Sequence, residues 1–497
     1  MLWVGLHLPW LSLETFVATL PPEQAEQPLA LMDAHRVVSA NREARALGVQ
    51  PGMKRATALS LAPQLLLGQA DERRDLAALT SVAHAALAFT PAVSLSMPAG
   101  VLLEVQASLR YFGGREALLH KLRATLAPLG HRIRCVSAPT AQGAALLSRR
   151  HDGLHCADRP ALVQSLDAAP LVLLAAGCEH ADALQGMGLH TLGDLRHLPR
   201  AGLARRFGQA LLDELDSALG DRPDPREPIV LPPFFHSQLE LFARADTTDQ
   251  LLHGAQVLLS RLVAWLSAQH AFVRRFSLVM KHEPRWGHAQ AATELEVALA
   301  EPSRDAAHML VLLRERLAAL QLPAPTLELG LQSDDISRRP PPNAELFPTP
   351  QSEHVGLTRL IERLQARLGR EQVQRLVPVA DHRPERATVV CAAEPLMPRR
   401  REEAAAPAPP GHSITRPLWL LPQPQPLPQH QERPLLDGEV LQLVCGPERI
   451  EAGWWDHQLA ERDYFIAQTA EGALVWLYRE RPTLSGGKSW YLQGRFA

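Results

Sequence analysis

Residues 233–335 carry the most restrictive pattern in the chain. Alternating apolar and polar positions predict strands over 238–243, 273–281, 293–298 and 326–331, while apolar periodicity near 3.6 predicts helices over 248–268 and 304–320. The order is a split β-α-β-β-α-β unit. Its second strand carries Arg274, Arg275 and Lys281, with His282 and Arg285 in the turn beyond. Such a cationic row suits phosphates without sequence preference, and it equally suits a solvated strand guarded against edge pairing.

The segments on either side read differently. Residues 1–165 alternate short apolar runs (Leu2–Leu8, 29–32, 37–40, 101–106, 132–136) with amphipathic stretches over 11–20 and 115–129, an α/β layer around one sheet. From about 166 to 230 the strand signal vanishes. There the text from Leu184 to Leu195 spaces Gly186, Gly188 and Gly193 for a turn between two short helices. This resembles a helix-hairpin-helix, whose turn offers backbone N–H groups to a phosphate; an ordinary helical corner with a C-cap glycine fits the same residues. Past Asp335, Arg339-Pro340-Pro341-Pro342 opens a loop, and Leu357, Leu360, Ile361, Leu364 and Leu368 mark one face of a helix ending at Gly369. The Pro-, Ala- and Gln-rich stretch from about Glu394 to Pro434 is expected to be an extended linker. The last sixty or so residues regain strand character around Trp454-Trp455, Trp476-Leu477-Tyr478 and Trp490-Tyr491.

Bulk properties set outer bounds. With 497 residues and 46% hydrophobic content, several packed domains are expected. A net charge of -2 offers no global basic field, so a nucleic-acid surface would have to be a local patch. Cys135, Cys156, Cys178, Cys391 and Cys445 are too widely spaced for a C-x-x-C metal pair or a dense disulfide framework, which fits a reduced compartment. The start, Met1-Leu2-Trp3-Val4-Gly5, lacks the basic region and apolar run of a signal peptide, and no eighteen apolar residues run together. A cytoplasmic, nucleoid-associated protein is expected.

Local text then narrows the reading. Ser39-Ala40-Asn41-Arg42-Glu43-Ala44-Arg45 followed by Gly48-Val49 and Gly52-Met53 is similar to the fingers signature of Y-family (lesion-bypass) DNA polymerases, and Ala58 and Ala62-Pro63 continue it. Gly193-Asp194-Leu195, Arg206-Phe207-Gly208 and Leu219-Gly220-Asp221 resemble that family's thumb. The resemblance covers roughly the first 335 residues. It implies an α/β and α+β multidomain fold: a palm-like domain over 1–165 with a fingers insertion at about 21–75, a helix-hairpin-helix thumb over 166–232, and a β-α-β-β-α-β little finger over 233–335. A clamp-motif loop and helix (336–380), a Pro-rich linker (381–436) and a small β-rich C-terminal module (437–497) complete the expected layout.

At the positions the resemblance implies are catalytic, the chemistry is missing. Nucleotide transfer of this kind uses two Mg²⁺ ions held by convergent carboxylates. Anchored on Leu13-Glu14, the first-strand Asp pair falls on Gly5 and His7; anchored on Leu103-Glu104-Val105, the second acidic motif falls on Met97-Pro98-Ala99-Gly100, so its carboxylates are replaced by Ala99 and Gly100. The fingers Tyr becomes Arg42, and the palm Asn-Lys becomes Thr140-Ala141, which leaves Arg45 as the triphosphate-side remnant. No catalytic residue, metal or cofactor is expected. The alternative is an active translesion polymerase using displaced acids such as Glu14 and Glu104, with Glu43 also nearby.

The residues Gly446 to Asp456 and Arg462-Asp463-Tyr464-Phe465 are similar to the ending of the inactive, polymerase-like scaffolds of the bacterial damage-inducible mutasome. That resemblance implies DNA, the β sliding clamp, a RecA-like accessory protein and an error-prone C-family polymerase as partners. Asn343-Ala344-Glu345-Leu346-Phe347, between Pro342 and Pro348, has the shape of a clamp-binding peptide, with Asn343 as polar anchor and Leu346 and Phe347 as pocket fillers. Pro417-Leu418-Trp419-Leu420-Leu421-Pro422 competes for the role.

Overall fold

The computed structural model describes residues 1–284, 292–338, 350–393, 416–417, 419–481 and 489–496. They fall into two compact units, Met1–Arg367 and Leu368–Ala497.

The N-terminal part of the first unit contains seven strands, β1 (Trp3–His7), β2 (Leu29–Asp33), β3 (Arg36–Ala40), β4 (Leu66–Gln69), β5 (Val93–Ser96), β6 (Gly100–Glu104) and β7 (Arg134–Ala138). They form two sheets where the sequence suggested one. β5-β6-β1-β7 is an antiparallel sheet, and β3-β2-β4 is separate. The reason is local: β2 turns tightly into β3 through Ala34 (φ 49), and the chain returns parallel to β2 at β4 after helices Arg42–Ala46 and Arg55–Leu61. These elements close a small core of their own, with Ala30, Met32, Val37, Ala44, Val49 and Ala58 buried.

Strand β1 is covered on both faces. Val4 and Leu6 join Leu79, Val82, Leu118 and Leu122 from helices Glu72–Ala86 and Arg115–Leu126. The opposite face receives helix Ala141–Ser148 so closely that a Cβ on Gly5 would lie 2.4 Å from the Ala144 carbonyl oxygen. Only glycine permits that approach.

Residues 159–219 are helical, and Leu184, Leu192, Leu195, Leu203, Phe207, Leu211 and Leu215 fill their core. Next come β8 (Phe235–Ala245), β9 (Phe272–His282), β10 (Ala292–Ser303) and β11 (Thr326–Ser337), in an antiparallel sheet of order β10-β9-β11-β8. Helix Thr248–Ala268, bounded as the sequence suggested, begins at a Thr247/Gln250 capping box. It is long and apolar enough to cross a membrane, yet Leu258, Leu262, Trp265 and Leu266 form the core beneath this sheet. Helices Ala306–Ala318 and Pro350–Leu368 complete the unit.

In the second unit, residues expected to be linker contribute structure. Gln374–Pro378 pairs with Thr388–Ala392, and Trp419–Leu427 is an edge strand of a five-stranded antiparallel sheet with Trp490–Arg495, Leu474–Glu480, Ala460–Gln468 and Gln442–Ala452. The prolines of 419–427 are tolerated because the strand lies at the edge. Trp454-Trp455 sits in a turn, outside any strand. That turn is fastened by the Arg383 guanidinium, which donates to Asp456 Oδ2 at 2.7 Å and to the Gln458 carbonyl at 3.1 Å while also bonding Asp381.

Because the obstacle at Gly5 is backbone, Gly5→Ala should destabilise the protein by about 1–3 kcal/mol, as overpacked cores do. Chemical denaturation with an unchanged m-value is the check.

Candidate functional site

The register of β1 against β6 pairs Trp3 with Glu104 at one end and His7 with Gly100 at the other. At the His7 end the sheet opens into a cleft of about 530 Å³. Its walls are His7, the Ser96–Gly100 hairpin, Gln142, Ser148 and Arg149 from helix Ala141–Ser148 and its end, the 172–175 segment with Cys178, and Glu214.

Three of the four positions expected to have lost carboxylates, His7, Ala99 and Gly100, line this cleft together. Gly5 does not. It lies within the strand beneath Ala144, so a side chain there would meet backbone rather than solvent. Position 5 is thus packed beneath the helix, while β1 runs on two residues further to reach the cleft at His7.

Electrostatically the cleft is poorly suited to cations. Burial, then the charges of Arg149 and Arg134, push His7 down to about 4, so its imidazole is neutral near pH 7. Glu214 is the carboxylate among the described lining residues, and it is committed. It accepts the Ala175 amide at 2.9 Å and the Gln142 side-chain amide at 3.2 Å, while Gln142 Oε1 accepts from Arg226 at 2.6 Å. Arg149 donates to the Leu173 carbonyl at 2.7 Å.

The other acids considered from sequence lie elsewhere. Glu104 is four residues along the strand from the cleft end, roughly 13 Å at strand rise, and accepts the Gln106 amide at 3.1 Å. Glu14 accepts the Arg132 amide at 3.1 Å and faces His131 at 3.3 Å. Glu43 is exposed on helix Arg42–Ala46. Among the described residues no three His, Cys, Asp or Glu side chains gather as a metal would require.

Arg45, the expected triphosphate-side remnant, stacks its guanidinium on the Trp10 ring at 4.6 Å, and Arg42 is exposed. Thr140 caps the following helix, accepting the Gly143 amide at 3.2 Å and donating to the Ala218 carbonyl at 2.7 Å; Ala141 is buried. Gln142 is the residue of that turn that reaches the cleft, and sequence reading missed it by one position. Arg149 and Glu214 were also missed. The latter gave no signal, since one Glu on an amphipathic helix is ordinary.

The hairpin and the cationic strand read from the sequence both form, with their polar groups differently engaged than expected. Helices Ala181–Gly186 and Leu192–Arg196 flank a turn at Gly188, φ +77. Every amide from Met187 to Leu192 donates within the protein, to Leu184, Gln185, Asp194 and Ala169. Gly186 closes the first helix and Gly188 shapes the turn, and the N–H groups from Met187 to Leu192 that the turn was expected to offer are already engaged.

On the sheet, Arg275 and Lys281 share the face that carries no helices, while Arg274 is exposed near the start of β9. Lys281 bonds Glu328 at 2.8 Å, and Arg275 lies 3.6 Å from Glu296 and 3.8 Å from Asp335. The same register puts Glu240 and Glu294 on this face. Arg275 and Lys281 are therefore offset by neighbouring carboxylates, while Arg274 stays exposed. His282 is buried, bonding Thr293 Oγ1 at 2.7 Å. Arg285 and the clamp-type residues Asn343, Leu346 and Phe347 lie outside the described residues. In the competing segment, Trp419 is 74% exposed but already paired in the edge strand opposite Arg495.

Residues 13–149 match the model of the impB/mucB/samB family. Two curated proteins called Protein ImuB, from Caulobacter vibrioides strains NA1000 / CB15N and ATCC 19089 / CIP 103742 / CB 15, are each 28% identical over 468 residues, covering 90% of this chain and 100% of theirs. The chain is thus similar to ImuB over nearly its whole length. Solved structures similar to it include the insertion ternary complex of Dbh DNA polymerase (18% identity, TM-score 0.40, covering 68% of this chain and 99% of that one). DinB from Sulfolobus solfataricus is another, at 19% identity and TM-score 0.37, with the same coverage.

Since His7 stands at about 4 in the folded protein against 6.5 ordinarily, the folded state binds fewer protons between those values. Its contribution to stability is complete above pH 6.5 and fades as pH falls towards 4. NMR titration should place the His7 midpoint near 4, and His7→Gln should remove part of the acid sensitivity in that window. A midpoint at 6 or above would mean a wet or carboxylate-paired imidazole.

Proposed function

We propose that the chain is a non-catalytic adaptor of SOS-induced translesion synthesis, a polymerase-like body that binds DNA without sequence preference and the β sliding clamp. In this reading it recruits an error-prone C-family polymerase and a RecA-like accessory protein as a mutasome scaffold. Residues 1–165, 166–232 and 233–335 take the places of palm with fingers, thumb and little finger, and Asn343, Leu346 and Phe347 take the clamp.

One observation carries the reading: the cleft at the end of β1 presents a neutral imidazole, Ala99 and Gly100, and its Glu214 is spent on the Ala175 amide. A two-metal mechanism needs hard oxygen ligands that converge on both ions. Without them the largest electrostatic contribution to phosphoryl transfer is missing. The similarity to ImuB over nearly the whole chain supports the same direction.

DNA contact in this reading is mainly electrostatic, so it should weaken steeply with salt. With Arg275 and Lys281 paired, Arg274 and the exposed Arg42 and Arg45 are the cations better placed to contribute. Purified protein should give no primer extension with Mg²⁺ or Mn²⁺, yet retard primer-template DNA in a salt-sensitive manner. Extension above background defeats the adaptor reading, and extension lost on Glu214→Gln would identify the ligand responsible.

A further inference from the structure

Helix Pro350–Leu368 packs the opposite way from its sequence pattern. Against its own domain it sets Thr358 and Glu362, 4% and 8% exposed. Glu362 accepts the Ala300 amide and pairs with His308 Nε2 at 2.7 Å. Leu357, Leu360, Leu364 and Leu368 stay 43%, 53%, 38% and 54% exposed. At 3.6 residues per turn these leucines form one stripe, centred roughly 130° around the axis from Thr358 and Glu362.

The stripe has a cationic border. Arg359, Arg363 and Arg367 follow at intervals of four, and Arg314 and Arg316 are exposed on the neighbouring helix Ala306–Ala318. Asp305, 3.1 Å from Arg359, and Glu315, 3.3 Å from Arg363, offset only part of that charge. The complement is an apolar groove with a carboxylate rim. Nucleic acid matches the arginines but offers nothing to four leucines. A second copy would set one arginine row against another, and a stripe of 357–368 is under two heptads, short of the three or four a coiled coil needs.

We propose that this stripe docks in such a groove on the sliding clamp, as a second contact beside the pocket that takes Leu346 and Phe347. The inference rests on the clamp reading above and adds the partner's second site. Chain length drives it: three residues from Phe347 to Pro350 span at most about 11 Å, and the helix needs about 10 Å more to reach Leu357. A globular partner gripping Phe347 is thereby brought against the leucines. Because Glu362 and His308 fix the helix beforehand, little ordering remains at docking. The two contacts then reinforce each other through effective concentration.

The test uses the full-length chain and purified sliding clamp, with affinity measured at low and high salt. Leu360→Asp with Leu364→Asp should weaken binding about ten-fold, mostly through faster dissociation, at unchanged circular dichroism and Tm. Arg367→Glu, a milder surface change, should weaken it a few-fold, with the deficit shrinking at high salt. Leu346→Ala with Phe347→Ala is the comparison. A folded stripe variant with wild-type clamp affinity overturns the inference while leaving the clamp reading intact. Loss of primer-template affinity with clamp affinity kept overturns it too, and assigns the face to nucleic acid. A wild-type chain that ignores the clamp defeats both.

Discussion

The antiparallel register of β1 with β6 decides what kind of site this molecule can have. Pairing His7 with Gly100 and Trp3 with Glu104 sends an imidazole, an alanine and a glycine to the cleft and leaves the nearest strand carboxylate at the far end. A slip of one residue would turn every side chain of β1 to the other face. Gly5 forbids it, because the close approach of Ala144 leaves no room for a Cβ at that point of the sheet. Packing on both faces of β1 therefore fixes the register, and the register fixes the cleft.

The same logic of neighbours governs the sheet β10-β9-β11-β8. Taken alone, β9 is a cationic strand. Paired with β10 and β11, it places Lys281 beside Glu328 and Arg275 beside Glu296 and Asp335. A surface of paired charges holds less potential for phosphates than its arginines suggest. In the hairpin around Gly188, Asp194 takes the amides of His190 and Thr191 that a phosphate would otherwise meet. Both elements keep their shape and spend much of their polar chemistry internally, with Arg274 left exposed.

Much of this fold was legible from residue pattern. Helix Thr248–Ala268 was bounded correctly because a capping signal and a long apolar period coincide there. That His7, Ala99 and Gly100 belong to one site was legible because motif positions are local in sequence, and the structure places all three on one cleft. The close packing of Gly5 beneath Ala144 was not legible, because it depends on helix Ala141–Ser148, far away in the sequence. Cross-strand charge pairing, the commitment of Glu214 to the Ala175 amide, and the outward turn of the leucine face on Pro350–Leu368 all depend on contacts distant in sequence. Single-strand or single-helix patterns cannot express them. The edge strand Trp419–Leu427 was hidden by its prolines, which ordinarily signal a linker.

The central claim is that the cleft beside His7 cannot hold a pair of divalent ions. Mn²⁺ binding to the full chain, followed by electron paramagnetic resonance with primer-template and nucleotide present, addresses it directly. The account predicts a spectrum indistinguishable from Mn²⁺ with DNA and nucleotide alone, unchanged by Glu214→Gln. Stoichiometric, protein-dependent Mn²⁺ binding that Glu214→Gln abolishes would contradict it.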